Sequence, residues 1–305
     1  MQTHQAHAKI NLALAVGPPQ GPPQGPRGYH PIASIFVCIS LAGEVHIEPA
    51  AHSKGTFRTS WANDAPLPTP IDWPIEQDLG YRAWRALEAH TGRALPVHID
   101  VRKRVPVGGG LGGGSSEAAA VLRGVNNRCA LALSNAQLAT IGATLGADVP
   151  FFLDDHTPAR PAVVAGFGER ITRVQLPTAR VVLYMLPLRC PTGAVYKAFD
   201  AATHQPPGTA SLRSERIDAL LNAVRERKAI DPTMLFNDLA APAMHAYPAL
   251  AEHARHIARA SGATIHLTGS GSTLLALARD AVQEQRLIAA ADTGVRALGV
   301  DMLVA

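Results

Sequence analysis

Between Pro106 and Ala120 the chain reads PVGGGLGGGSSEAAA, and six of the seven residues from Gly108 to Gly114 are glycine. Glycine lacks Cβ and tolerates positive φ, so a loop of this kind can close around a ligand with its backbone N–H groups turned inward. Ser115 or Ser116 is placed to cap the helix that follows, EAAAVLRGV, whose N-terminus adds free N–H donors and a partial positive charge at the same point. Val97 to Val101 alternates as a strand that feeds the loop. Strand, glycine loop and helix together make a cradle for an anion, and phosphate is the expected guest.

Spacing separates the glycine loops that bind phosphate. The GxxxxGK[ST] pattern is absent, because Ser115 and Ser116 follow Gly114 with no lysine between. Gly108, Gly110 and Gly113 satisfy GxGxxG, but no Asp or Glu falls between Glu117 and Asp148, where a ribose-binding acid belongs about 20 residues on. Protein kinases carry a glycine loop too, with HRD and DFG triplets that this chain lacks.

Elsewhere the residues leave two readings each. Ala8 to Leu14 opens as an alternating strand that turns apolar, with Lys9 and Asn11 on one face, either solvated or lining a site. Gly17 to Arg27, GPPQGPPQGPR, is an exposed loop of partly polyproline II character. Gly28-Tyr29-His30 is a turn, although Tyr29 offers a flat face and His30 a donor or acceptor suited to a pyrimidine edge. Asp148, alone among small and apolar residues in GADVPFF, either caps a turn or serves as a general base tuned by partial desolvation.

Ala33 to Ile39 reads as a buried strand with Val45 to Ile47 continuing the β region, Asp78 to Thr91 as a helix stopped by Gly92, and Asn135 to Leu145 as another ending at Gly146. Charge and proline interrupt the pattern from Asp154 to Pro161, which places a domain boundary there and divides the chain into 1–160 and 161–305. Beyond it, Val181 to Pro187 is a strand, Pro191 to Tyr196 a helix start, and Phe236 to Leu239 a capping segment. Thr264 to Leu267 and Thr273 to Ala278 are strands around a second glycine turn, Thr268 to Ser272. His253 and His256 lie one turn apart on a helix, without a third metal ligand at useful spacing.

Composition narrows the class. At 305 residues, 47% of them hydrophobic, the chain suits two domains with a sizeable core. A net charge of +4 without clustering does not mark a nucleic-acid binder. Cys38, Cys129 and Cys190 are far apart with no CxxC pair, which argues against a disulfide framework or zinc site and suits a reducing cytoplasm. No apolar run approaches the roughly 20 residues of a membrane span, and the short run Ile10 to Val16 lacks a cleavage site, so a soluble, unexported protein is expected.

The loop resembles the PxxxGLGSS loop of the GHMP small-molecule kinases, with Pro106 and Gly110-Leu111-Gly112 in place and two further glycines before Ser115-Ser116. AKIN, GYH, GGGLGGGSS, GADVPFF, NDL and TGSGS follow one another as in that family along nearly the whole chain. The resemblance implies a two-domain α+β fold, with an N-terminal domain of ribosomal-protein-S5-like topology and a ferredoxin-like C-terminal domain. It also implies ATP and Mg²⁺, with the ATP phosphates on Pro106, Gly108, Gly109, Gly110, Leu111, Gly112, Gly113, Gly114, Ser115 and Ser116.

The longer loop is similar to the branch of the family that phosphorylates the 2-hydroxyl of a cytidine diphosphate-linked methylerythritol in non-mevalonate isoprenoid synthesis. On that branch Asp148 is the catalytic base with Lys9 beside it, and Asn11 lines the acceptor site. Tyr29, His30 and Phe36 would grip the cytidine, with Thr192 and Tyr196 approaching from the other side. Glu117 stands where the family more often has Asn or Asp, which leaves the magnesium ligand open. Two alternatives remain: a kinase for another small alcohol such as homoserine or mevalonate, and a nucleotide-binding regulator without turnover. A pure binder has no need of both Lys9 and Asp148. Oligomeric state has no signature in the sequence.

Overall fold

The computed structural model describes residues 1–21, 28–50, 54–203, 215–227 and 229–304. Residues 22–27 of the expected proline loop lie outside them.

The first half is built on two long strands, β1 (Gln2–Val16) and β2 (Ile32–Pro49). Residues of β2 alternate between two cores: Phe36, Cys38, Val45 and Ile47 pack into one, Ile35, Val37 and Ile39 into the other. Over 35–39 both faces are covered, while at 44–48 Glu44, His46 and Glu48 form a partly exposed polar side opposite Val45 and Ile47; the segments expected at 33–39 and 45–47 run together as 18 residues. β3 (Thr56–Trp61), α1 (Leu79–Thr91), β4 (Val97–Lys103), α2 (Gly113–Arg128), α3 (Asn135–Ala143), α4 (Val149–Phe152), β5 (Ala162–Gly166) and β6 (Arg170–Arg173) complete it.

Asp78 caps α1, its side chain accepting from Gly80 N at 2.8 Å, and Gly92 ends the helix at φ 66°. α2 begins earlier than expected. Gly112, at φ 68°, is its N-cap, so neither Ser115 nor Ser116 caps the helix and both sit in its first turn. A left-handed glycine already turns the loop into the helix, and Ser115 is left free to face the site.

The second half follows as β7 (Arg180–Met185), α5 (Thr192–Thr203), α6 (Glu215–Arg227), β8 (Phe236–Asn237), α7 (Ala240–Ala246), α8 (Pro248–Ser261), β9 (His266–Leu267), β10 (Leu274–Ala278), α9 (Ala281–Ala289) and β11 (Arg296–Leu303). The main sheet order is β3-β4-β2-β11-β7-β10-β9, with β1 and β5 also on β2. Pairing is antiparallel apart from β3 with β4 and β1 with β8.

β5 pairs with β2 from Ile32–Gly166 to Phe36–Ala162, and β6 adds to β5, so the first sheet extends past the expected boundary at 160 as far as Arg173. β11 pairs with both β7 and β2 and joins the halves. α1 and α2 cover β2 and β4 through Trp84, Leu87, Val121 and Val125, while α5, α7, α8 and α9 pack on β7 and β10. Among the described residues no helix is long and apolar enough to cross a membrane.

Candidate active site

Two glycine turns meet at the centre of the molecule. The loop after β4 places Gly108, Gly110 and Gly112 at φ 72°, 76° and 68°, which residues with a Cβ rarely adopt. A Cβ on Gly110 would lie 2.3 Å from the carbonyl oxygen of Thr268, so the first loop and the Thr268–Ser272 turn touch backbone to backbone. Further hydrogen bonds tie the loop down: Lys9 N donates to Leu111 O at 2.9 Å and Thr273 N to Gly109 O at 3.3 Å. The first turn of α2 leaves N–H groups without partners inside the helix and aims them at the loop's concave side.

β1 supplies the cation. Bulges before Lys9 and after Asn11 interrupt its pairing with β2, and the two side chains share a face as the alternation requires. Lys9 Nζ donates to Asn11 Oδ1 at 2.8 Å, lies 3.4 Å from Asp148 Oδ2, and sits 4.5 Å above the Phe36 ring. Asn11 is fixed on its other sides: its backbone N donates to Thr268 Oγ1 at 3.0 Å, and its Nδ2 donates to Ser34 Oγ at 2.8 Å. Asp148 is the residue before α4 and makes no capping hydrogen bond, so its carboxylate stays available. The side chain is 30% exposed, in contrast to the buried Lys9.

These groups line a cavity of about 530 Å³. Lys9, Asn11, Phe36, Asp148, Thr192 and Tyr196 open on it together with Pro106 and the loop from Gly108 to Ser115. Ser116 is buried beneath. Burial first, and then the charge of Asp148, push the Tyr196 phenol up to about 12, so it presents a neutral O–H. Thr192 Oγ1 is 2.9 Å from Ser270 Oγ, which links α5 to the second glycine turn.

Two of the expected cytidine residues do not line this cavity. His30 is buried, with Nδ1 2.8 Å from Gly17 O, Nε2 3.3 Å from Asp200 Oδ1, and its ring 5.0 Å from that of Tyr196. Tyr29 is 62% exposed. His30 therefore braces Tyr196, and Tyr29 stands outside.

Beside Glu117, already conspicuous in the sequence, the cavity has walls that no motif announces. Lys103 and Glu117 form a buried ion pair beside the loop, near Trp73 and Asp78. Glu117 is 2% exposed; desolvation pushes its carboxyl above the usual range, against the pull of Lys103, and its Oε1 has no hydrogen-bond partner. A signal for Lys103 was present: Val97, Ile99 and Val101 point inward, and period-two alternation carries residue 103 the same way. Trp73 lies in a proline-rich loop and had no signal. Asn237, in the segment expected to cap, instead makes a local turn by accepting from Leu239 N at 2.9 Å, α7 starting without a side-chain cap, and its Nδ2 donates to Leu267 O and Gly269 O at 2.9 and 2.8 Å. It thus holds the second glycine turn.

Residues 78–155 match the family model for the GHMP kinases N terminal domain. The 4-diphosphocytidyl-2-C-methyl-D-erythritol kinase of Variovorax paradoxus is 35% identical over 92% of this chain and 89% of its own length. That of Caulobacter vibrioides is 33% identical over 92% and 91%. A crystal structure of 4-(cytidine 5'-diphospho)-2C-methyl-D-erythritol kinase superposes with a TM-score of 0.75 at 30% identity, covering 99% of both chains. Mevalonate kinase from L. major, at 13% identity and a TM-score of 0.68 over 100% of this chain and 97% of its own, shares the fold alone. The α+β GHMP kinase fold expected from the sequence is the one found. Identity at this level over about nine-tenths of both chains means that the chain belongs to the 4-diphosphocytidyl-2-C-methyl-D-erythritol kinases of the GHMP family of small-molecule kinases.

Proposed function

We propose that the protein transfers the γ-phosphoryl group of ATP to the 2-hydroxyl of 4-diphosphocytidyl-2-C-methyl-D-erythritol, a step toward isoprenoid precursors. The observation that carries this reading is the Lys9–Asp148 pair, 3.4 Å apart on the wall of a cavity that the glycine loop also lines. In phosphoryl transfer the protein mainly positions the reactants and stabilises charge. The Asp148 carboxylate accepts the hydroxyl proton as that oxygen attacks the γ-phosphorus, and ADP departs with the bridging oxygen. Lys9 stabilises charge on the transferring group. The loop N–H groups and the N-terminus of α2 hold the phosphates that stay on ADP.

Mg²⁺ accompanying ATP would neutralise the phosphates and takes one or two carboxylates besides phosphate oxygens. Ser115 and Glu117 line the cavity and would hold it, and the unpartnered Glu117 Oε1 fits such a ligand. Phe36, Thr192 and Tyr196 form the acceptor side, with His30 behind Tyr196 and the exposed Tyr29 free to stack on a pyrimidine. All three cysteines are free, which suits a cytoplasmic enzyme.

The test is ADP release by the purified protein with ATP and Mg²⁺, comparing 4-diphosphocytidyl-2-C-methyl-D-erythritol with mevalonate, homoserine and no acceptor. Release that depends on the cytidylyl compound is expected. Release with another acceptor instead would discard the cytidine site, and ATP binding without release under any condition would favour a regulator.

A further inference from the structure

Asp148 has few anchors of its own. It makes no capping hydrogen bond, and its ion pair with Lys9 is long at 3.4 Å. Its place therefore depends on α4, a helix of four residues that is far too short to be stable alone. Val149, Phe151 and Phe152 pack into the core, and two arginines hold the C-terminal end of α4. Arg173, the last residue of β6, donates through Nη2 to Phe151 O at 2.9 Å and through Nη1 to Arg160 O at 2.6 Å. Its Nε lies 3.6 Å from the buried Asp154 carboxylate, which Arg160 also grips. Arg123 of α2 donates to Phe152 O at 2.9 Å and Asp154 O at 3.1 Å. Carbonyls at a helix C-terminus lack intrahelical partners and favour cations, so these guanidiniums answer both needs.

A second path runs through the side chains. The Arg173 guanidinium lies 5.3 Å from the centre of the Phe151 ring, Phe151 meets Phe36 edge-on at 5.3 Å, and Phe36 supports Lys9 Nζ at 4.5 Å. Arg173 is thus joined to Asp148 through the backbone of α4 and to Lys9 through two aromatic rings. It does not line the cavity.

We propose that Arg173 is a positioning residue for phosphoryl transfer: by holding the carbonyl end of α4 and the Phe151–Phe36 stack, it sets the geometry of the Lys9–Asp148 pair. This role rests on the reading of Asp148 as the base. Arg173→Met keeps an apolar stem over Phe151 and removes every donor. A displacement on the order of 1 Å at the base lowers turnover by about 10²-fold, while the KM for ATP should not move, because the glycine loop is untouched.

The decisive comparison repeats the substitution in an Asp148→Asn background. A residue that works through Asp148 has nothing left to position there, so the further loss should stay within about twofold. A merely structural role would instead lower kcat by the same factor in both backgrounds, and that result, or unchanged kcat in Arg173→Met, overturns the proposal. If Arg173→Met does not fold, Arg173→Lys decides: its ammonium keeps the charge but not the fork that bridges the Phe151 and Arg160 carbonyls, and should give a smaller loss of kcat, again with unchanged KM for ATP and again absent beside Asp148→Asn, whereas full activity counts against the role. Absence of acceptor-dependent turnover in the unmodified protein would refute the kinase reading and the positioning role together; an active protein with equal factors in both backgrounds refutes the positioning role alone.

Discussion

Gly110→Ala is the substitution that most directly tests whether the two glycine turns must touch. Gly110 sits at φ 76°, and a Cβ there would lie 2.3 Å from Thr268 O, 3.1 Å from Thr268 C and 3.2 Å from Gly271 N. Ordinary contact begins at 3.4 Å, so the loop and the Thr268–Ser272 turn would have to part by about 1.1 Å. All three neighbours are backbone atoms, and no side-chain rotation relieves the overlap. Two costs follow. Holding alanine at positive φ costs on the order of 1 to 3 kcal/mol of stability, and a shift on the order of 1 Å in the reacting geometry costs about 10²-fold in rate.

Gly92→Ala separates these costs, because Gly92 has φ 66° with nothing within 4 Å of its Cβ position and ends α1 away from the cavity. Urea unfolding and steady-state ADP release should show both variants destabilised but only Gly110→Ala impaired in kcat by about two orders of magnitude. If both variants turned over alike, close approach of the two backbones would have no part in catalysis.

Asp148→Asn preserves shape but removes the base, and should lower kcat by about 10² to 10⁴ with the KM for ATP little changed; full turnover would take Asp148 out of the mechanism. Lys103→Met leaves Glu117 buried without its cation, which should cost about 3 to 5 kcal/mol in urea unfolding, while Lys103→Met with Glu117→Leu should recover most of it. A single variant as stable as the parent would show that the pair is not desolvated. Asp154 responds to pH: desolvation pushes its carboxyl up, but hydrogen bonds from Arg160 and the charge of Arg173 hold it well below the usual range. A depressed carboxyl contributes stability that is fully present above its unfolded value, about 3.9, and is lost as pH falls through the folded value. Asp154→Asn should therefore show a shallower decline of the urea midpoint below about pH 4, and parallel curves for the two proteins would contradict the assignment.

How much of this was legible in the sequence depends on whether the cause is local. Glycine's freedom of φ belongs to the residue itself, so the loop at 108–114 and the stop at Gly92 could be read from the chain alone. Asp78 as a helix start and the alternating strand at 97–101 are local in the same way, since a cap or a pleat involves near neighbours. Ordered motifs along the chain were enough to indicate the family.

What the tertiary structure decided involves residues far apart in sequence. The 1–160 division did not anticipate β5 and β6 on the first sheet, because a strand's partner is chosen by packing and not by the charge and proline that precede it. The cap expected at Ser115 or Ser116 moved to Gly112 because the loop's own backbone had already made the turn. Tyr29 and His30 are neighbours in sequence, yet one faces solvent and the other supports Tyr196. Lys103 and Trp73 entered the cavity wall without any motif. Sequence fixed which chemical groups the chain carries, but the contacts of Lys9 with Asp148, Asn11 with Thr268 and Arg173 with Phe151 exist only after distant strands and helices have packed. Those contacts are what turn the groups into a site, because charge, desolvation and orientation are set by what lies opposite a side chain in space.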